Sequence, residues 1–249
     1  MIVDGLIFLG TSHFGSHLDL STAIAHLNAT GVDVAIAAPS HPHRGDFTEA
    51  NDALLAAAEQ SGGRIVPLAR VDPWEGADAI TELGRAIVNG ARGLFLHPSE
   101  ERFRANDAMV RPLVEAAAEA NVPIMVSAGY HLYSEPLQLA AASTWVPDTP
   151  FILTNGGQFN ISGMSQFDAQ LALRGTNVYV QTSGMYRQDF LEGVVATFGA
   201  NRLIYASAEP VFDMAYERQR VALAHFAETE ELLILGGTSA KLFGIDDLS

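Results

Sequence analysis

The chain is 249 residues long, 48% hydrophobic, and carries a formal net charge of −15. That charge argues against nucleic acid, whose recognition needs clustered Lys and Arg, and against anionic membrane surfaces. The absence of cysteine excludes disulfides, a thiolate nucleophile and any Cys-held metal.

Apolar, β-rich runs recur from end to end, each followed by a helical stretch. The first, Ile2–Leu9, contains Asp4 and no basic leader, so it reads as a buried strand and not a signal peptide. Helix Ser21–Thr30, strand Val32–Ala38 and helix Phe47–Gln60 follow. Strand Arg64–Val71, helix Gly76–Asn89, strand Arg92–His97 and helix Asp107–Asn121 continue the alternation. In that last helix Met109, Val110, Leu113, Val114 and Ala117 form one apolar stripe, with Arg111, Glu115 and Glu119 facing away. Strands Pro123–Ser127, Pro150–Asn155, Asn177–Ser183 and Arg202–Ser207 alternate with helices Pro136–Trp145, Ser165–Arg174, Gln188–Phe198 and Met214–Glu228. No stretch approaches the roughly 20 apolar residues of a membrane span, and a cytoplasmic location is the default expectation.

Eight strand–helix units joined by short loops predict an α/β protein, a single (β/α)₈ TIM barrel over residues 1–249. No glycine-rich phosphate fingerprint follows the first strand, which disfavours an open dinucleotide-binding sheet. In such a barrel the chemistry sits at the C-terminal ends of the strands. His13, His17, His41, His43, His97 and His131 fall there, whereas His26 and His225 lie on helices.

The ordered series Ala69–Trp74, Gly90–Pro98, Pro123–Gly129, Asn155–Gly157, Asn177–Gly184, Gly199–Ser207 and Leu235–Gly244 resembles the amidohydrolase-related family of barrel hydrolases and decarboxylases. The resemblance implies a divalent metal held by two first-strand His and a fifth-strand His, with a sixth-strand His as ligand or acid/base group and an eighth-strand Asp as ligand or base. At the matching positions this chain has Leu6, Phe8, Ser127, Asn155 and Ala208. By the strand period of two, Asp4, Leu6 and Phe8 should share a face, so Leu6 and Phe8 should fill the volume of the metal. No metal and no other cofactor is therefore expected at the inherited place. Glu209 replaces the missing acid only if a bulge or the strand end turns it inward. The His pairs of Thr11–His17 and Ser40–Arg44 are acceptable metal ligands, but their spacing is unspecific.

The remaining mouth residues suit a small, partly apolar organic molecule. His97 and His131 are the candidate general acid and base, against a structural role in loop hydrogen bonding. Ser127, Asn155, Ser183, Ser207, Glu209, Tyr186, His41 and His13 are candidate substrate-binding groups, with Asn155 a candidate oxyanion donor. Trp74, Tyr130, Tyr133, Phe8 and Phe159 are candidate apolar walls, and Glu209 is the carboxylate expected to bias one of the two imidazoles. Arg70 either pairs with Asp72 or anchors a substrate carboxylate. The resulting expectation is a metal-independent hydrolase or lyase acting on a small-molecule substrate, for example by lactone opening, cyclisation or elimination. The alternative is an inactive barrel kept as a ligand-binding or partner protein. Neither reading fixes the oligomeric state, and a homo-oligomer fits both.

Overall fold

The computed structural model describes residues 1–43, 47–158 and 163–246, with backbone only for 163–166. The candidate wall residue Phe159 lies outside the described residues. Strand β1 (Val3–Thr11) turns back through the short antiparallel β2 (His17–Leu18) into helix α1 (Leu20–Thr30). Then come β3 (Val34–Pro39) and α2 (Phe47–Gln60). The third barrel strand is broken at Leu68 into β4 (Ile65–Pro67) and β5 (Ala69–Arg70), before α3 (Ala77–Val88). Then follow β6 (Leu94–Leu96), α4 (Arg111–Glu119), β7 (Ile124–Val126) and α5 (Pro136–Ser143). Strand β8 (Phe151–Leu153), α6 (Gly163–Ala172), β9 (Val178–Gln181), α7 (Gln188–Phe198), β10 (Leu203–Ile204) and α8 (Met214–Ala222) complete the eight units. Two short helices, α9 (Glu228–Leu232) and α10 (Thr238–Phe243), follow.

All neighbouring barrel strands pair in parallel. Backbone hydrogen bonds close the ring across both breaks in the ladder. Leu68 N donates to Ala37 O at 2.8 Å, while Ala69 N donates to Gly93 O at 2.9 Å, so the broken third strand serves both neighbours. At the seam between first and last strands, Gly5 N donates to Tyr205 O, Ala208 N to Leu6 O, and Phe8 N to Glu209 O. Gly5 is required there: a Cβ would stand 2.7 Å from Tyr205 O. The chain is a (β/α)₈ barrel.

Side chains alternate between two cores. Leu6, Ile36, Leu68, Phe95, Met125, Ile152 and Ile204 fill the barrel. Ile7, Ala37, Leu94 and Val180 face the helices, meeting Leu27, Leu54, Leu83, Leu113 and Val194. One sequence expectation fails here. The β1–β3 register shifts between Asp4 and Ile7, so a bulge at Gly5–Leu6 resets the alternation. Leu6 and Phe8 do point inward, but Asp4 pairs in register with Ala35 of the outer core and does not share their face. Among the described residues, no helix is long and apolar enough to cross a membrane.

Candidate active site

At the C-terminal ends of the strands a cavity of about 80 Å³ opens among groups from seven of the eight barrel strands or the loops that follow them. Larger crevices lie elsewhere. One of about 560 Å³ runs between β2 and α2 over Leu and Ala side chains, and another of about 1100 Å³ opens at the N-terminal end of the barrel. Neither contains His97 or Arg70, and the small cavity is where polar groups converge. Its floor and one wall are apolar, from Leu6, Phe8, Ala208, Pro210, Val211 and Phe212.

The opposite wall is built on Arg70, which ends β5 with its side chain 1% exposed. Such burial demands partners. The guanidinium donates to Glu101 from Nε and Nη2 at 2.9 and 2.6 Å, to Glu100 from Nη2, and to the Pro39 carbonyl from Nη1 at 3.0 Å. The rings of Phe47 and Phe95 lie 5.3 and 5.4 Å from it. Asp72 instead caps the turn after β5 by accepting from Trp74 N. The expected Arg70–Asp72 pair is therefore replaced by an Arg70–Glu100–Glu101 cluster. The Trp74 indole N–H holds that loop by donating to Glu101 O at 2.9 Å. Burial pushes the Glu101 carboxyl up to about 7 against the pull of Arg70. Burial also opposes the charge of Glu100, but its neighbours outweigh it and hold its carboxyl below the ordinary value. Arg70 is the operative neighbour near neutrality, because His97 is uncharged there.

Two imidazoles line the same cavity in complementary protonation patterns. His97, at the end of β6, is 6% exposed, and burial, with Arg70 and His41 nearby, pushes it down to about 3 despite Glu100. Glu100 N donates to the His97 carbonyl at 3.0 Å and, as the longer branch of a shared bond, to His97 Nδ1 at 3.3 Å, an arrangement that favours the ring hydrogen on Nε2. His41, after β3, faces the opposite case. Its Nδ1 lies 2.9 Å from the Pro42 carbonyl, which can only accept, so Nδ1 carries the hydrogen and Nε2 is the proton acceptor. Burial, then Arg70, lowers the His41 pKa as well. The Tyr130 ring lies 5.2 Å from that of His97, tilted by 53°, and its hydroxyl shares a hydrogen bond with Ser127, while burial raises the hydroxyl pKa.

Four of the ten residues singled out from sequence meet in the cavity: His97, His41, Ser127 and Asn155. Asn155 is not a spare donor. Its amide nitrogen donates to Thr154 Oγ1 at 3.0 Å and Ala128 O at 3.4 Å, and its oxygen accepts from Ser183. Its φ of 51°, followed by Gly156 and Gly157 at 62° and 77°, makes it the first residue of a left-handed turn. The other six lie elsewhere. The His131 side chain is 79% exposed and pairs with Glu135 at 2.8 Å, because the loop after β7 carries it outward past Ser127. Ser183 is buried behind Asn155. Ser207 faces the seam, its amide donating to Asp4 and its hydroxyl accepting from Glu209 N. Glu209 binds His26 of α1, not His97 or His131, since strand parity sends Ala208 inward and Glu209 outward. Tyr186 is 55% exposed over Arg220, and exposed His13 packs against Phe14 and His43. Sequence reasoning missed Glu100 and Glu101. A buried Arg at a strand end was the available signal, since it requires carboxylates on the next loop.

Leu6, Phe8, Ser127, Asn155 and Ala208, the five positions where the resemblance puts metal ligands or acid/base groups, all line this one cavity. They offer hydrocarbon, a hydroxyl and an amide already in use, so the donor set does not fit a divalent ion. Among the described residues, no three His, Cys, Asp or Glu are grouped to hold a metal.

The family model described as Amidohydrolase matches residues 23–245. No curated protein matches the sequence. Among solved structures, a 2,6-dihydroxybenzoate decarboxylase complexed with 2,6-dihydroxybenzoate is similar at 14% identity and a TM-score of 0.81, covering 99% of this chain and 98% of that one. The 5-carboxyvanillate decarboxylase of Sphingomonas paucimobilis is similar at 14% identity, with a TM-score of 0.76 and coverage of 98% and 99%. A probable 2-pyrone-4,6-dicarboxylic acid hydrolase from Acinetobacter baumannii, with citric acid bound, is similar at 16% identity, with a TM-score of 0.77 and coverage of 98% and 99%.

Proposed function

The chain belongs to the amidohydrolase family, and from that premise we propose that it is a hydrolase or lyase acting without a metal on a small, partly apolar organic molecule. The observation that carries this reading is the pair of neutral imidazoles in one cavity, His41 with Nε2 as acceptor and His97 with Nε2–H as donor. A base and an electrophilic donor, each fixed in its tautomer by backbone, are what acyl chemistry at a carbonyl needs. In hydrolysis, His41 Nε2 takes a proton from water as its oxygen bonds to the carbonyl carbon. The carbonyl oxygen gains negative charge and is held by His97 Nε2–H. Collapse of the adduct breaks the bond to the leaving group, which recovers the proton from His41. The Leu6, Phe8 and Phe212 side chains hold the apolar part of the molecule and thin out competing water.

The test is turnover. On a demonstrated substrate, His41→Gln and His97→Gln each lower kcat by at least about tenfold while the far-UV spectrum stays unchanged. Activity falls with acid through the His41 pKa, so that limb lies below the ordinary imidazole value of 6.5. Protein prepared without added metal keeps its activity through chelation. About one equivalent of zinc or manganese, lost together with activity, refutes the metal-free reading. Saturable binding with no turnover of any ligand identifies the barrel as a binding protein instead.

A further inference from the structure

Arg70 is the only Arg or Lys among the described residues that line the cavity, and its donors are nearly all committed. A guanidinium has five N–H groups. One on Nε and two on Nη2 go to Glu100 and Glu101, and one on Nη1 goes to the Pro39 carbonyl. At most one remains for a ligand, whereas a carboxylate clamp needs two side by side. Charge counting agrees. One guanidinium faces two carboxylates, and both imidazoles are neutral near pH 7. Glu101, pushed up to about 7 by burial, sets the balance at −1 when ionised and zero when protonated. Neither state attracts an anion, and a carboxylate entering the cavity loses its water without gaining a cation.

We propose that this mouth selects uncharged carbonyl compounds, as lactone, ester or amide, and rejects carboxylate ligands of the same shape. The inference depends on the proposed activity only in placing the ligand in this cavity, and it names that ligand's class. Glu100 adds a second recognition feature. Its Oε1 stands 3.8 Å from His97 Nε2, too far for a direct hydrogen bond. The Nε2 hydrogen is therefore left for the ligand carbonyl, and the anionic Glu100 oxygen beside it disfavours a carboxylate in that position.

Equilibrium titration of matched pairs tests the claim near neutral pH: benzamide against benzoate, and 2-furamide against 2-furoate. The wild-type protein binds each amide at least about tenfold more tightly than its acid. In Glu100→Gln the ratio shifts toward the acid by about tenfold, as removal of one nearby charge requires. Glu101→Gln is the second variant should the first fail to fold, and its ratio moves in the same direction. Tighter binding of the acids, no binding of either amide, or ratios unmoved in the folded variants overturns the proposal. Binding needs no turnover, so the two readings separate. Amide selectivity without catalysis removes the proposed activity alone, and turnover of a carboxylate-bearing substrate removes this inference alone.

Discussion

The first and last strands of the barrel carry opposite equipment on their two faces. Toward the cavity they present Leu6, Phe8 and Ala208, all hydrocarbon. Toward the helices, in the same few residues, lie Asp4, Ser207 and Glu209, joined by hydrogen bonds and continued by His26. On strands β3, β5 and β6 the arrangement is reversed, and His41, Arg70 and His97 sit at the cavity. The two acidic regions also differ in how they are satisfied. Arg70 supplies a cation to Glu100 and Glu101, whereas Asp4 is held by hydrogen bonds from Leu6 N and Ser207 N. Each region keeps a buried carboxylate oxygen without a hydrogen-bond partner, Glu101 Oε2 in the first and Asp4 Oδ2 and Glu209 Oε2 in the second. Polar chemistry thus belongs to one side of the mouth, and the seam of strands one and eight holds carboxylates that face away from it.

The largest effect should come from breaking the compensated region. Arg70→Met leaves Glu100 and Glu101 facing each other without a cation, at a cost of about 3–5 kcal/mol for an uncompensated buried pair. Urea denaturation of the variant measures this. A loss below about 1 kcal/mol shows that the cluster is not held by Arg70, and the contrast between the two regions then disappears.

The uncompensated region should respond to pH in a definite direction. Burial, partly offset by hydrogen bonds from Ser207, pushes Asp4 up to about 7 from 3.8. Between those values the folded chain holds a proton that the unfolded chain has released. Stability therefore falls as pH rises from about 4 to about 7 and levels off above. Asp4→Asn has no such proton, so it should match wild type near pH 4 and exceed it at pH 8 by about 4 kcal/mol. Glu101 and Glu217, also raised to about 7 by burial, keep part of the slope in the variant. Identical pH profiles for the variant and the wild-type protein sink the assignment.

The ladder of strands and helices was legible because amphipathic periodicity is local. Helices α2 and α7 run over the same residues that the sequence predicts, Phe47–Gln60 and Gln188–Phe198. The identity of the cavity was legible too, since the five altered ligand positions converge on it. Side-chain direction was not. Asp4 was expected beside Leu6 by strict alternation, and the bulge at Gly5 depends on close approach to Tyr205, two hundred residues away. The partners of Arg70 were equally hidden, because the fold of the loop after β6 decides which carboxylates reach it. Loop residues were the hardest to place. His97 lies within a residue of a strand end and is fixed by it, whereas His131 lies five residues beyond Val126, where strand geometry no longer constrains direction.

The smallest effect should be at His131, which separates the two histidines that the sequence treats alike. The side chain is 79% exposed and engages Glu135 four residues on, at the start of α5. An exposed contact of this kind contributes at most about 1 kcal/mol. His131 is absent from the cavity lining, so its removal leaves the reacting groups in place. His131→Gln should therefore change kcat and KM by less than about twofold where His97→Gln costs tenfold or more. The pH profile of kcat/KM should also keep its acidic limb, since His41 supplies it. A tenfold loss in His131→Gln with stability unchanged shows that the loop after β7 swings this imidazole over the mouth during turnover, and the division of labour drawn between the two sides of the cavity then fails.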